Sequence, residues 1–174
     1  MYQSLVEGRG VPWDLLVKDV PEKHHHDLDY LIDMLDWEGN VDPNFSANRL
    51  FHPTPVVAVD EMKASGYLEN WVVYSTPHYS AKELTISPGR SVTIKDEAAY
   101  GMIVVQGYGT FGKHEIETPT LIRYGEMTKD ELFVTLEAAQ RGVAITNKSD
   151  RENLVMLKHF GPGNPQAPSK KRAA

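Results

Sequence analysis

The chain has 174 residues, with 18 lysines and arginines against 24 aspartates and glutamates, and a formal net charge of −6 at pH 7. This acidic balance argues against a general nucleic-acid-binding protein, which would present a basic surface. The absence of cysteine excludes disulfides, thiol catalysis and cysteine-bound zinc, and it fits a reducing compartment. With no apolar run near the roughly 20 residues of a membrane span, and no signal pattern at the start, we expect a cytoplasmic protein without a membrane partner.

The N-terminal third is predicted to be an arm followed by a helix. Residues 1–23 mix charges with glycines and prolines, so no long regular element is expected there. From residue 27 to 38 the pattern changes to that of an amphipathic helix. Its apolar face consists of Leu28, Leu31, Ile32 and Leu35, at i, i+3, i+4 and i+7. We expect residues 1–55 to form an arm and a helix that pack on the domain that follows.

The rest of the chain is predicted to be a series of short strands. They are expected at 56–59, 71–75, 81–87, 92–94, 100–106, around 116, and at 121–124, 132–136, 143–147 and 154–160. Turn residues separate them, and no helical pattern lies between them. This spacing predicts an all-β domain at 56–162, an antiparallel sandwich or small barrel, with residues 163–174 as a flexible C-terminal tail.

The stretch from residue 88 to 112 resembles the first motif of the cupin superfamily, in which glycines, two histidines and a glutamate have fixed spacings. Gly89 and Gly107 fall at the two glycine positions. Lys95 and Glu97 stand at the two histidine positions, and Tyr100 at that of the glutamate. The resemblance implies a cupin-like antiparallel β-barrel, or jelly roll, in which Tyr100–Gln106 is a barrel strand.

The second cupin motif is also matched only in part. Asn147 matches its asparagine, whereas Val143 stands at the histidine position and Ala138 at that of the usual proline. The resemblance covers roughly residues 67 to 160. Cupins hold a transition metal with three histidines and a glutamate, and all four of those positions are substituted here. We therefore expect neither a metal nor another cofactor.

The candidate ligand-binding residues follow from the same register. Alternate side chains of Tyr100–Gln106 share one face, and the cupin-like register points that face into the barrel. The candidates are Lys95, Glu97, Tyr100, Met102 and Gln106. A lysine, a carboxylate, a phenol and an amide around a half-buried space would suit an anionic or polyhydroxylated small molecule. The alternative is that Lys95 and Glu97 lie in a solvated turn.

The histidines leave a non-standard metal site open. Consecutive residues on a helix diverge by about 100°, so of the run His24, His25 and His26 only His25 has a ligand partner at i+4, in Asp29. A surface segment without metal is the alternative. His78, His114 and His159 lie on separate predicted elements without ligand spacing.

Two functions from different classes remain open. The sequence as a whole is most similar to cupins of the mannose-6-phosphate isomerase type, which implies a sugar or sugar-phosphate ligand and aldose–ketose isomerisation by proton transfer. The alternative is a non-catalytic, metal-free cupin module that serves ligand binding or dimerisation. The arm and helix carry more apolar surface than one face of a small barrel covers, so we expect a homodimer that uses the N-terminal region.

Overall fold

The computed structural model describes residues 5–6, 9–10, 12–50, 52–121 and 124–169. The chain divides into two compact units, Met1–Arg49 and Leu50–Ala174. The helices are α1 (Trp13–Leu16), α2 (Leu28–Asp33), α3 (Trp37–Val41), α4 (Phe45–Arg49), α5 (Val59–Ala64) and α6 (Leu136–Arg141), with a 3-10 helix at Glu22–His24. The strands are β1 (Leu5–Val6), β2 (Arg9–Gly10), β3 (Thr54–Pro55), β4 (Tyr67–Val73), β5 (Ser80–Ile86), β6 (Ser91–Ile94), β7 (Tyr100–Gln106), β8 (Tyr108–Phe111), β9 (His114–Glu117), β10 (Glu131–Val134), β11 (Val143–Asn147) and β12 (Leu154–Phe160).

The first unit contains two short helices where the sequence predicted one helix over 27–38. Asp27 caps α2 by accepting a hydrogen bond from the Tyr30 backbone N–H at 3.1 Å. Asp36 caps α3 in the same way, accepting from the Gly39 N–H at 2.8 Å. An aspartate that caps a new helix ends the previous one, because its own backbone is not helical. The prediction of a single helix is therefore wrong, although the apolar spacing that suggested it is present.

The second unit is a jelly roll. Its large sheet has the strand order β10-β7-β12-β5-β4-β3, and its small sheet has the order β6-β11-β8-β9. Along the chain from β5 to β12, the strands cross repeatedly between the two sheets, and every pairing within them is antiparallel. The strands β5 to β12 thus form two four-stranded groups, one in each sheet, which are interleaved along the chain. This arrangement is that of the eight-stranded jelly roll, a fold that cupins share. The predicted all-β, cupin-like fold is confirmed, as two facing sheets with β4 and β3 extending the large one.

The core lies between the two sheets and follows the two-residue period of the strands. Alternate residues of β12 are buried, from Leu154 to Phe160, and β5 shows the same pattern towards Ile86. The small sheet contributes the opposite wall. Its buried apolar residues are Ile94, Phe111, Ile116 and Ile145.

Two helices in this unit were not predicted. The strand expected at 56–59 is wrong: residues 56–58 lie outside any strand, and helix α5 begins at Val59 and buries Met62. Helix α6 follows β10, starts at Thr135, whose hydroxyl accepts from the Ala138 N–H, and ends at Gly142, where φ is +97°. The strand expected at 121–124 is also wrong for its described residues: Leu121 and Tyr124 lie outside any strand, and 122–123 lie outside the described residues.

Residues 161–169, which we call the C-terminal segment, follow β12 and pack on the jelly roll. Ala167 packs against the core cluster. The Gln166 side-chain oxygen accepts a hydrogen bond from the Glu97 backbone N–H at 3.1 Å, which ties the segment to the loop between β6 and β7. Residues 170–174 of the predicted tail lie outside the described residues. Within the described part of the chain, no helix has the length and apolarity needed to cross a lipid bilayer.

Candidate functional site

Four buried charged residues meet between the sheets, and we call them the charge cluster: Glu69, Lys82, Asp96 and Lys158. The Lys82 and Lys158 ammonium groups each lie 2.6 Å from one oxygen of Asp96. Lys158 also lies 2.5 Å from Glu69, and Lys82 lies 3.7 Å from its second oxygen. Both lysines have 0% exposure. The contacts form a closed ring of alternating charges whose formal sum is zero.

Strand register explains why the two lysines meet. Lys158 on β12 pairs directly with Lys82 on β5, and both lie at inward positions. Like charges opposite one another destabilise a sheet, so the pair requires the carboxylates. Glu69 comes from β4, whereas Asp96 comes from the loop after β6, where its N–H donates to the Ala139 carbonyl at 3.1 Å.

Three aromatic rings enclose the lysines. The Lys82 ammonium nitrogen lies 4.6 Å from the ring centroid of Trp71, and that of Lys158 lies 5.0 Å from the ring of Tyr100. Phe160 lies between them, 5.4 Å from the Lys82 nitrogen and 5.3 Å, ring to ring, from Tyr100. Cation–π attraction therefore adds to the ion pairs among these buried side chains.

The surroundings of Tyr100 alter its protonation. Burial raises the pKa of Tyr100 strongly, and the negative charges of Asp96 and Glu69 raise it further. Both effects disfavour the phenolate, so the side chain stays a neutral hydroxyl at physiological pH. It can donate a hydrogen bond, but it does not serve as a base there.

The residues present do not suit the metal that cupins hold. The oxygens of Asp96 and Glu69 already accept from two lysines, so a cation would have to displace an ammonium group. A protonated lysine has no lone pair to offer a metal. Among the described residues, no group of three or more histidines, aspartates or glutamates is arranged to hold a metal ion. The two ammonium groups supply the positive charge that a metal would otherwise bring.

Three buried side-chain atoms of the described residues lack a hydrogen-bond partner: Ser80 Oγ, the Tyr100 hydroxyl and Asn164 Nδ2. Ser80 pairs with Phe160, and Phe160 pairs with Tyr100, so the two hydroxyl residues lie at the same end of the large sheet. Buried polar groups are rarely left unsatisfied in native proteins. We therefore expect water or a ligand to complete the hydrogen bonding of Ser80 and Asn164.

Two of these atoms belong to residues that line one cavity, which we call the polar cavity. It has a volume of about 540 Å³ and lies between the β4–β5 loop and the C-terminal segment. Its polar side chains are those of Ser75, Thr76, Tyr79, Ser80, Asn164 and Ser169. Tyr79 is 50% exposed, and no charged residue is among those that line the cavity. The opening thus combines an accessible aromatic ring with neutral hydrogen-bonding groups.

The five residues predicted to line the interior divide into two groups. Tyr100 and Met102 are buried and face inward, as expected. Lys95, Glu97 and Gln106 are exposed, so their predicted interior position is wrong.

Two local features cause this difference. After β6 it is Asp96 that turns into the interior, which leaves its neighbours Lys95 and Glu97 outside, on a surface depression shared with Gln140 and Gln166. At Gln106 the pairing of β7 with β12 shifts register between Val155 and Met156, which interrupts the alternation of inward and outward residues.

The charge cluster was not among the predicted site residues, yet the sequence carries a signal for it. Lys82 lies two residues before Leu84, and Lys158 lies between Met156 and Phe160, at inward positions of strands that are otherwise apolar. A lysine in such a position is almost never fully buried unless it is paired. Two of them on neighbouring strands imply two buried carboxylates.

The histidines make local contacts. His24 pairs with Asp27 at 3.1 Å and stacks on Tyr30 at 3.8 Å between ring centroids. The His25 ring lies 2.8 Å from the Val20 carbonyl oxygen. With His26, His78, His114 and His159 included, the described residues form no common metal site.

Comparisons with known proteins add only a likeness of fold. No protein-family model and no curated protein matches the sequence. Among solved structures, the cupin 2 domain-containing protein of Halorhodospira halophila is 16% identical and has a TM-score of 0.43, with 62% of this chain and 72% of that chain covered. The polyketide cyclase RemF of Streptomyces resistomycificus is 9% identical with a TM-score of 0.41, over 62% and 73% of the two chains.

A third similar structure is that of Rhodobacter sphaeroides SigE in complex with the anti-sigma ChrR, at 13% identity and a TM-score of 0.40. It covers 55% of this chain, which spans only 44% of the other. At such identities a likeness concerns the fold and not the function. The strand order itself defines a jelly roll, a fold that cupins share with other proteins.

Proposed function

We propose that the jelly roll is a non-catalytic module that binds a neutral carbohydrate in the polar cavity. The ring of Tyr79 would contact the apolar face of a sugar. The side chains of Ser80 and Asn164, whose Oγ and Nδ2 atoms are buried, would rotate towards the cavity to bond its hydroxyl groups. The observation that carries this proposal is that two unpaired buried polar atoms belong to residues lining one uncharged cavity.

The lining suits a sugar because a sugar offers both an apolar C–H face and many hydroxyl groups. Aromatic side chains supply apolar area, and a few fixed polar groups orient the ligand. Ser75, Thr76 and Ser169 add further hydroxyl groups to those of the two unpaired residues. The volume of about 540 Å³ lies within the roughly 300–1,000 Å³ of small-molecule sites.

A neutral sugar is favoured over a sugar phosphate by the absence of a cation in the lining. A phosphate loses hydration on entering a cavity and needs a positive partner in return. Lys82 and Lys158 are already neutralised in the charge cluster. Lys95 lines the separate depression over Asp96.

Binding is favoured over isomerisation because the lining lacks a group suited to move a proton between carbons. No carboxylate, histidine or lysine is among the residues that line the polar cavity. The carboxylates of the charge cluster are each held by lysines.

The same proposal includes a metal-free interior, since Lys82 and Lys158 occupy the cation positions next to Asp96. Elemental analysis of dialysed, untagged protein should find no stoichiometric iron, manganese, nickel or zinc. About one equivalent of metal that disappears in an Asp96→Asn variant would contradict this part of the proposal.

Calorimetric titration with neutral mono- and disaccharides tests the binding proposal. We expect saturable binding of at least one sugar, and a Tyr79→Ala variant should weaken it by about tenfold or more, as is common for an aromatic anchor. Tyr108→Ala is the matched control, because Tyr108 is 47% exposed on β8 and outside this cavity. Failure of every neutral sugar to bind, binding of sugar phosphates alone, or equal effects of the two variants would overturn the proposal.

A further inference from the structure

A second cavity, which we call the basic cavity, lies between the tip of the β8–β9 hairpin, the end of β10, helix α6 and the start of β11. Its volume is about 350 Å³. Its lining includes basic side chains from the hairpin and from α6, and apolar side chains from β8, β10 and β11. It shares no lining residue with the polar cavity.

The ionisable residues that line this cavity are all basic. Lys113 and His114 come from the hairpin, and Arg141 comes from α6. No aspartate or glutamate is among the lining residues. Arg141 lies 3.5 Å from Glu137, but both side chains are exposed, so this pair is weak and leaves guanidinium donors available.

The floor of the basic cavity is apolar. Phe111 and Val134 are buried, and Leu132 and Val143 are half-buried. At the opening, Phe133 is 73% exposed. Exposed apolar surface that is rimmed by polar or charged groups often marks a binding site. The combination favours a ligand that has an apolar body and a charged end.

The backbone holds the two sides of the basic cavity in place. Gly112 has φ of +58° and forms the tip of the hairpin, where its N–H donates to the Ala144 carbonyl at 2.8 Å. Gly142 has φ of +97° and joins α6 to β11. Both conformations favour glycine, so Lys113 follows one turn, and Arg141 precedes another, that few other residues adopt.

We propose that the basic cavity binds a small organic anion, a carboxylate or phosphate monoester with an apolar tail or ring. The anionic group contacts Lys113 and Arg141, and the apolar part lies on Leu132 and Val134. This proposal is independent of carbohydrate binding, because it rests on different residues and on a basic rather than an uncharged lining.

Calorimetric titration of the full chain at low salt tests this with octanoate and octyl phosphate as probes. We expect saturable binding of at least one of them, and octanol and acetate should each bind at least about tenfold more weakly, since each lacks one half of the ligand. Binding should weaken as salt is raised. The two anionic probes distinguish a carboxylate from a phosphate monoester as the preferred head group.

Lys113→Ala and Arg141→Ala should each reduce the affinity by about fivefold or more, and thermal melts should show that both variants fold. Arg151→Ala is the control, because Arg151 is 87% exposed by side chain and lines none of the described cavities. Octanol binding as tightly as both anionic probes, absence of binding by both, or equal effects of Arg141→Ala and Arg151→Ala would overturn the proposal.

Discussion

Lys158 touches both carboxylates of the charge cluster, at 2.5 Å from Glu69 and 2.6 Å from Asp96. Lys158→Met keeps much of the side-chain volume but leaves two buried negative charges with Lys82 alone. Breaking a buried pair by removing one partner costs about 3–5 kcal/mol. We expect urea unfolding to show a loss of that size in the free energy of unfolding.

Lys148→Met is the matched control for this variant. Lys148 pairs with Glu115 at 2.8 Å on the surface, and such exposed pairs contribute about 0–1 kcal/mol. Equal small losses in the two variants would show that the charge cluster does not stabilise the fold.

Tyr100 makes the stability of the folded chain depend on pH in the alkaline range. Burial raises the pKa of Tyr100 above its ordinary value of 10.0, so the unfolded chain loses this proton at a lower pH than the folded chain. The stability that the protonated Tyr100 hydroxyl contributes to the fold is fully present below pH 10. It is lost as the pH rises towards the pKa of the folded state. In Tyr100→Phe, the decline in stability above pH 10 should be shallower than in the wild type.

At neutral pH the same Tyr100→Phe variant should be about as stable as the wild type, because the hydroxyl removed has no partner among the described residues. Urea titrations of both proteins at pH 7 and at several values above 10 measure both effects. A loss of more than about 1 kcal/mol at pH 7 would reveal a hydrogen bond to this hydroxyl.

At single residues, prediction from the sequence succeeded where strand alternation continued and failed where it stopped. Tyr100 and Met102 lie within an uninterrupted part of β7, and their inward direction was predicted. Asp96 lies in a loop, where no period applies, and Gln106 faces a register shift. Neither irregularity has a signature in the residue pattern.

Among the elements, strand β8 depends on a glycine for its close approach to β11. A Cβ at Gly109 would lie 2.0 Å from the Thr146 carbonyl oxygen of β11, whereas a Cβ at Gly101 on β7 would meet nothing within 4 Å. Gly109→Ala should therefore force β8 and β11 apart and cost at least roughly 1–3 kcal/mol. Gly101→Ala should be neutral or slightly stabilising. Thermal melts that place the two variants within 1 °C would contradict this packing.

Strands could be predicted from the sequence better than short helices. The bounds of β7, β11 and β12 coincide with the predicted ranges 100–106, 143–147 and 154–160. Helices α5 and α6 have six residues each, too few to show a 3.6-residue period against the apolar runs beside them. Helix α6 has a recognisable start in Thr135, but Leu132–Leu136 reads equally well as the end of a strand.

At the scale of the whole molecule, the homodimer remains a prediction. Apolar side chains of the first unit are exposed: Leu28, Ile32, Met34, Leu35 and Trp37. We propose that this surface pairs with that of a second copy. Light scattering should then give twice the 19.5 kDa of the chain at micromolar concentration.

The double variant Ile32→Asp, Trp37→Asp should return the mass to that of one chain, because charges at an interface core are costly to desolvate. Val57→Asp, at a residue of the second unit that is 46% exposed, should leave the mass unchanged. A wild-type protein of 19.5 kDa at micromolar concentration would refute the dimer.

The jelly-roll fold could be predicted because glycine and strand spacing along 88–112 resemble a known superfamily. The proposed binding site could not be predicted, because the polar cavity joins Tyr79 and Ser80 to the C-terminal segment about 80 residues later. No local sequence pattern predicts that contact. The chemistry of a site built from two distant segments becomes visible only after folding.

The central claim is that a neutral sugar binds between Tyr79 and Asn164. Heteronuclear NMR tests it directly, through the side-chain amide signal of Asn164, assigned by its loss in Asn164→Asp. We expect this signal and the backbone amide of Ser80 to shift saturably during titration with the sugar, with one dissociation constant that rises about tenfold in Tyr79→Ala. Saturable sugar binding that leaves both signals unmoved, or no sugar binding at all, would contradict the account.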